Sequence, residues 1–405
     1  MIRCIPTCAF ALICTLGFAP PPAAAIEIEE AQPSGTELEA MFVSQPPPTS
    51  PGFSAPPATS AATQGRSSRS SYVRLARAPN MFGDSLNPTG QIVVSNGGAN
   101  GSERTIVADL PLGAGASRKI TENNKALPMD RVYFVYNGFQ NALTTQQVGG
   151  GPAFVTNNID RYTLGFEKTF WDGSASFEIR MPLLSGFQTA GPGVSLESGN
   201  VGDLTMFSKQ VLYADDEVLI AGGLGISLPT GSDLEGQING EDFLINNQSV
   251  HLLPYIGFLT MPTDDFFVQA FLELDFAASG NEVEYGDPPA TLGTLTDQNL
   301  FHANLSLGRW IYQDPGAYYL QRIAAIGELH YATTIQDADV IDLQNAFGGS
   351  LGNIANRVDY LNMTAGLQFQ IGPLSNLRVG CVVPLKTGFD RQFDSEIQVS
   401  FNRFF

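Results

Sequence analysis

Glu396-Ile397-Gln398-Val399-Ser400-Phe401-Asn402-Arg403-Phe404-Phe405 is the stretch on which the fold turns. Ile397, Val399 and Phe401 alternate with Glu396, Gln398, Ser400 and Asn402. A period of two marks a β-strand with one apolar and one polar face. Left at the edge of an open sheet, such a strand is a template for aggregation. A barrel closed on itself removes the edge, and in a bilayer it turns the apolar face outward. The competing expectation is the last strand of an ordinary sandwich, and the rest of the chain decides between them.

Working back from this strand, the chain from Arg131 onward reads as paired strands near 131–138, 160–169, 174–183, 203–213, 217–228, 249–261, 265–276, 299–312, 318–332, 358–371, 376–384 and 394–405. Most have the length of a tilted strand crossing a bilayer, about 9–11 residues. Connections alternate long and short. The short ones, Phe170-Trp171-Asp172-Gly173, Ala214-Asp215-Asp216, Pro262-Thr263-Asp264, Gln313 to Ala317 and Gly372 to Ser375, are rich in the Asp, Gly and Pro of tight turns. The long ones run 139–159, 184–202, 229–248, 277–298, 333–357 and 385–393. Turns at one end and long loops at the other are the pattern of outer-membrane barrels, with periplasmic turns and extracellular loops. The expectation is an all-β, transmembrane, antiparallel up-and-down barrel of about twelve strands, with fourteen as the other possible count.

The faces agree. Phe266, Val268, Ala270, Leu272, Leu274 and Phe276 oppose Gln269, Glu273 and Asp275. Phe177, Ile179 and Met181 oppose Ser176, Glu178 and Arg180. Strands 217–228 and 249–261 are apolar on both faces, as expected against a plug or an apolar patch of lumen. Phe170, Trp171, Tyr213, Phe266, Phe267, Trp310, Tyr312, Tyr318, Tyr319 and Phe405 crowd the short-turn rim and read as an interfacial aromatic girdle.

Upstream, residues 1–25 have the basic start, short apolar run and Ala23-Ala24-Ala25 site of a secretory signal. Three of the four cysteines fall there, leaving Cys381 alone and no internal disulfide. Residues 26–79 read as a disordered, Pro-rich periplasmic tail. Residues 80–130 read as an N-terminal extension or plug: strands near Gln91 to Ser95 and Arg104 to Leu110 are expected, and the segment either fills the lumen, sits beneath the barrel or adds a strand pair. The formal net charge of −19 disfavours nucleic acid as a partner.

Two resemblances add to this reading. The terminal strand resembles the last strand of bacterial outer-membrane barrels, which implies recognition by the barrel assembly machinery and a setting among outer-membrane lipids. Gly202-Asp203-Leu204, Lys209 to Tyr213, Asp215-Asp216 and Gly222-Gly223-Leu224-Gly225-Ile226-Ser227-Leu228-Pro229-Thr230-Gly231 are similar to a hairpin of the phenol-degradation meta-pathway proteins, a family of channel-like barrels. That likeness implies a transporter and carries no substrate-binding residue with it.

Candidate pore-lining residues are Arg161, Glu167, Glu178, Arg180, Glu273, Asp275, Arg322, Glu328, His330 and Arg378, joined by Glu396. Charges there would set selectivity in an open lumen; in a filled lumen Glu273 would pair with Arg322 or Arg180. Twelve strands lie between the filled and the open sizes of barrel. The chain is expected not to be an enzyme. Ser249-x-His251 is a weak hydrolase signal with no orienting acid apparent in the sequence. No phosphate loop, metal-ligand spacing or cofactor motif is apparent. The expected function is passive passage of a small solute through the outer membrane of a Gram-negative-type bacterium, with a structural barrel or envelope tether as the alternative.

The assignment of the terminal strand is directly testable. Phe401→Asp sets a charge on the lipid face, so the amount of heat-modifiable, membrane-embedded protein should fall; an unchanged amount would remove that strand from the barrel wall.

Overall fold

Strand parity and tight turns generate the wall that the computed structural model shows. The structure describes residues 74–405, apart from 88–89, 98–102, 111–115, 149–153, 344–345 and 347. The expected signal and nearly all of the expected tail lie outside the described residues.

Twelve strands form the wall: Arg131–Val148, Phe154–Phe170, Ala175–Ser185, Leu204–Ala214, Val218–Leu228, His251–Thr260, Phe266–Ala277, Leu300–Gln313, Leu320–Thr334, Asp359–Ile371, Ser375–Pro384 and Ser395–Phe404. Each pairs antiparallel with its neighbours in the chain. The last closes on the first, with Phe401 opposite Phe134 and Val399 opposite Tyr136. The terminal strand is therefore paired on both sides and leaves no edge. Phe134, Phe177, Ile179, Leu272, Leu305, Leu329, Val379, Ile397 and Phe401 point outward and are exposed, while the residues between them are buried.

Three expectations about the wall and its ends need correction. The first two strands run well past 131–138 and 160–169, with a register shift between Phe139 and Leu143, so most of the expected loop 139–159 is strand. Most of the long connections are not plain polar loops either. Three of them supply hairpins to a second, six-stranded sheet built from 188–198, 234–245 and 281–295. A fourth supplies Gly349–Gly352, which pairs with Gln91–Gly97. Between these layers lies an apolar core that includes Ile92, Val94, Ile106, Leu196, Leu234, Phe243, Ile245, Val283 and Leu351. The girdle also loses two members: Phe267 and Trp310 are buried and face inward, as their parity opposite Phe266 and Ile311 requires. A register shift between Trp310 and Tyr312 lets Tyr312 remain outside.

The N-terminal segment passes through the lumen twice. Arg74 enters at the short-turn end, near Glu217 (3.9 Å) and Asp264 (3.4 Å). Residues 78–87 rise inside the wall, and Gln91–Gly97 and Glu103–Asp109 form a hairpin at the long-connection end. Residues 116–129 then descend, and the wall begins at Arg131. Plug and strand pair are thus both present in 80–130. The expected tail boundary at 79 is too late: Leu75 and Ala78 are buried against the lumen wall, because they belong to an apolar cluster with Leu253, Leu259, Phe267 and Phe271.

Phe82 fixes the rising pass. Its ring lies over Gly366 and Gly380, where a Cβ would come within 2.5 and 2.9 Å of it, and the Arg378 guanidinium sits 4.0 Å from its centroid. Phe82→Ala should cost about 3–5 kcal/mol, read as a lower melting temperature in detergent with barrel strand content retained; an unchanged melt would mean the pass is not anchored there.

Candidate functional site

Backbone pairing in the wall runs sideways, so an inward-facing charge finds partners on neighbouring inward side chains or on what fills the lumen. Here the filling segment supplies most of them. Phe82 and Gly83 donate their backbone N–H groups to Glu328 (both 2.9 Å). Ile120 N–H donates to Glu273 (2.8 Å) and Ser85 N–H to Glu396 (3.3 Å). In the other direction, Arg161 donates to the Ser85 and Ala116 carbonyls (2.9 and 3.0 Å) and Arg180 to Lys119 O (2.8 Å). Arg378 donates to Asn80 O and to Asn123 Oδ1 (both 2.7 Å).

Ion pairs complete the network. Glu167 holds Arg131 (2.9 Å) and Lys209 (3.1 Å), Glu178 holds Arg180 (3.0 Å), and Arg161 reaches Glu122 on the descending pass (3.0 Å). Lys119 pairs with Asp84 (3.1 Å), joining the two passes to each other.

The sequence-derived set divides as follows. Arg161, Glu167, Glu178, Arg180, Glu273, Asp275, Glu328, His330, Arg378 and Glu396 all face the interior and are buried. Arg322 does not join them: it is half-buried at the short-turn mouth, with its guanidinium 5.7 Å from the Trp310 ring centroid. Glu273 pairs with neither Arg322 nor Arg180; Ile120 N–H takes that place, and Arg180 goes to Glu178. Arg131 and Lys209 were missed, although strand parity places both inward beside Tyr133 and Phe207.

Ser249 and His251 do meet an acid. His251 Nδ1 bonds Asp275 of the neighbouring strand, and Nε2 lies 3.1 Å from Ser249 Oγ. The expectation that no orienting acid exists is corrected, since antiparallel register brings Asp275 alongside. The same imidazole also belongs to an ion cluster. Ser249 donates its hydroxyl to Ser279 O (2.8 Å), while Nε2 also meets Arg118 of the descending pass and Asp297 (3.1 Å).

The hairpin 202–231 that carries the family resemblance is wall. Gly223 and Gly225 leave room for the lumen-facing rings of Tyr255 and Phe207, whose centroids are 6.1 Å apart. Asp203 accepts from Gly231 N–H (3.0 Å) and Asn247 (2.7 Å), which closes the top of that hairpin.

No protein-family model matches the chain, and no curated protein matches it. Among solved structures it is similar to the NanC porin, at 10% identity over 67% of this chain and 99% of that one, with a TM-score of 0.40. It is also similar to an outer membrane channel from Pseudomonas putida F1 (12%, 69% and 97%, 0.43) and to the β domain of the Bordetella autotransporter BrkA (12%, 68% and 99%, 0.42). The likeness is one of barrel architecture and reaches neither substrate nor site.

Glu328→Ala would strand two buried backbone N–H groups, at about 1–3 kcal/mol each. Amide exchange over 80–87 should accelerate in that variant while exchange in the wall strands stays slow. Unchanged protection over 80–87 would show that Glu328 does not hold the rising pass.

Proposed function

We propose that the protein is an outer-membrane channel kept shut by its own N-terminal segment. In this reading small solutes pass when residues 78–87 and 116–129 rearrange. The short-turn end faces the periplasm, the tail lies there, and the terminal strand addresses the barrel assembly machinery. The observation that carries the reading is how the lumen charges are satisfied. Glu273, Glu328, Arg161, Arg180 and Arg378 bond the filling segment rather than only one another. Backbone groups of that kind are replaceable by water, so the same wall can line a polar passage. In that open form Arg161, Glu167, Glu178, Arg180, Glu273, Asp275, Glu328, His330 and Arg378 would line the pore, with Arg322 at its mouth. The resemblance to the phenol-degradation meta-pathway proteins is consistent with transport.

A second reading, a structural barrel without a passage, is favoured by one feature. Leu75, Met81, Phe82 and Ile120 pack into an apolar cluster with Phe207, Leu253, Phe267, Phe271 and Trp310. Burying such side chains stabilises by about 1.5–3 kcal/mol apiece, which resists rearrangement.

Planar-bilayer conductance separates the two. The full chain should be mostly silent, and a variant lacking 74–130 that still shows heat-modifiable migration should give stepwise currents. Should that deletion fail to fold, Phe82→Ala combined with Glu328→Ala should give brief openings in place of silence. A folded but silent plug-free barrel, or a silent double variant, would leave the structural barrel as the function.

A further inference from the structure

Rearrangement of the plug is not needed for a second site, at the short-turn mouth. A cavity of about 610 Å³ opens there between the start of the rising pass, the end of the descending pass and the rim of the wall. Arg77, Lys125 and Arg322 line it, with Asn80, Gln321, Gln368, Gln370 and Asn376 supplying amides. We propose that this cavity binds a small organic or inorganic anion, a carboxylate or phosphate group being held between Arg77 and Arg322.

The charge distribution carries the argument. Neither guanidinium pairs with a carboxylate among the described residues, and both line the same cavity. Two cations that face a shared cavity with no carboxylate in ion-pair reach of either repel one another, and an anion held between them relieves that repulsion. Three other cations of this end have carboxylate partners: Arg74 is near Asp264 and Glu217, Arg309 bonds Asp265 (2.7 Å), and Lys168 faces Asp130 (3.3 Å); Arg403, outside the cavity lining, donates to the Ser375 hydroxyl (2.9 Å). Lys125 adds a third nitrogen, fixed by the Ala76 and Ala78 carbonyls (2.8 and 3.0 Å) with no carboxylate in ion-pair reach among the described residues. Two negative groups share the lining. Asp130 is occupied by Lys168 and by Thr169, whose N–H and hydroxyl both donate to it (2.6 and 2.9 Å), and Phe405 brings its main-chain carboxylate.

One more group is unspent. Gln368 is buried, lines the cavity, and its side-chain oxygen accepts no hydrogen bond among the described residues. Rotation of the terminal amide exchanges that oxygen for an NH₂ donor. Planar guanidinium pairs flanked by amide donors match the oxygens of carboxylate and phosphate better than they match a neutral polyol. The cavity volume admits a ligand well beyond a bare phosphate ion. A soluble anion from the periplasmic side and a phospholipid headgroup at the rim present the same chemistry.

The test uses the full chain in nanodiscs of phosphatidylcholine, with titration calorimetry against inorganic phosphate, succinate and, as the neutral probe, glycerol. Phosphate or succinate should bind and glycerol should not. Arg77→Gln with Arg322→Gln should weaken anion binding about ten- to hundredfold, at unchanged melting temperature, because one group is exposed and the other half-buried. Arg309→Gln, which removes a charge from the same end but outside the cavity, should leave binding as it was. Equal loss in both variants would mean only general surface attraction and would overturn the site, as would absence of binding to either anion in phosphatidylcholine. Nanodiscs containing phosphatidylglycerol then identify the source. Competition from that lipid, lost in the double variant, assigns a headgroup; undiminished phosphate binding assigns a soluble anion. Neither result depends on whether the barrel conducts, so failure of the channel reading leaves this test intact.

Discussion

The requirement that a buried charge find a partner organises the inside of this barrel. Arg131, Arg161, Arg180 and Arg378 are fully buried, as are Glu167 and Glu396. None of them is supplied by the wall's own backbone, because strand pairing uses those groups sideways around the ring. The segment that fills the lumen has the opposite deficit. Residues 78–87 and 116–119 belong to no helix or strand, so their N–H and C=O groups need partners. Charged wall and irregular backbone each satisfy the other, which is how non-helical chain is tolerated at membrane depth.

The lumen is more apolar on one side than on the other. Glu328, Arg378 and Glu396 meet the backbone of 80–85, whereas Phe207, Leu253, Phe267 and Phe271 meet the apolar side chains of 75–82 and 120–127. The same asymmetry accounts for the strands 218–228 and 251–260, which are apolar on both faces: one face meets lipid and the other meets the plug. Aromatic rings laid over glycines bring the layers close on this side, as Phe267 does over Gly308 and Phe271 over Gly257. Hydrogen bonds fix the register of the segment, and apolar burial fixes its depth.

Legibility in the sequence followed periodicity. Wall strands repeat every two residues and are cut by Asp, Gly and Pro turns, so 266–277 and 395–404 were readable to within a residue. The six-stranded sheet was missed because its strands are short and lie inside stretches rich in Gly, Asn and Asp, where hairpin and loop look alike. Inward-facing charges were readable from parity, but their partners were not. Glu273 bonds the N–H of Ile120, and any residue offers an N–H, so no residue type marks the place. Asp275 reached His251 through the register of one hairpin, which spacing along the chain does not encode. Parity places Arg322 in the lumen, but it is the third residue of its strand, beside the register shift at Leu320 to Arg322, and lies at the mouth instead.

Connectivity limits how such a lumen can open. The descending pass continues directly into Arg131, the first residue of the wall, and so is tethered at the short-turn end. At the other end both passes run into the hairpin 91–109, whose strands pair with Gly349–Gly352 on one side and with residues 145–148 on the other. Withdrawal toward the short-turn end would pull this hairpin through the lumen and break both pairings. Withdrawal the other way would drag Leu75, Met81 and Phe82 out of their apolar cluster and past the lumen charges. Ejection as a unit is therefore opposed in both directions. Loosening in place is opposed less: bonds such as Ile120 to Glu273 and Ser85 to Glu396 can be exchanged for water one at a time while the hairpin stays in the outer layer. A passage in this barrel would then run beside the N-terminal segment, along the charged wall, and not through a lumen emptied of it.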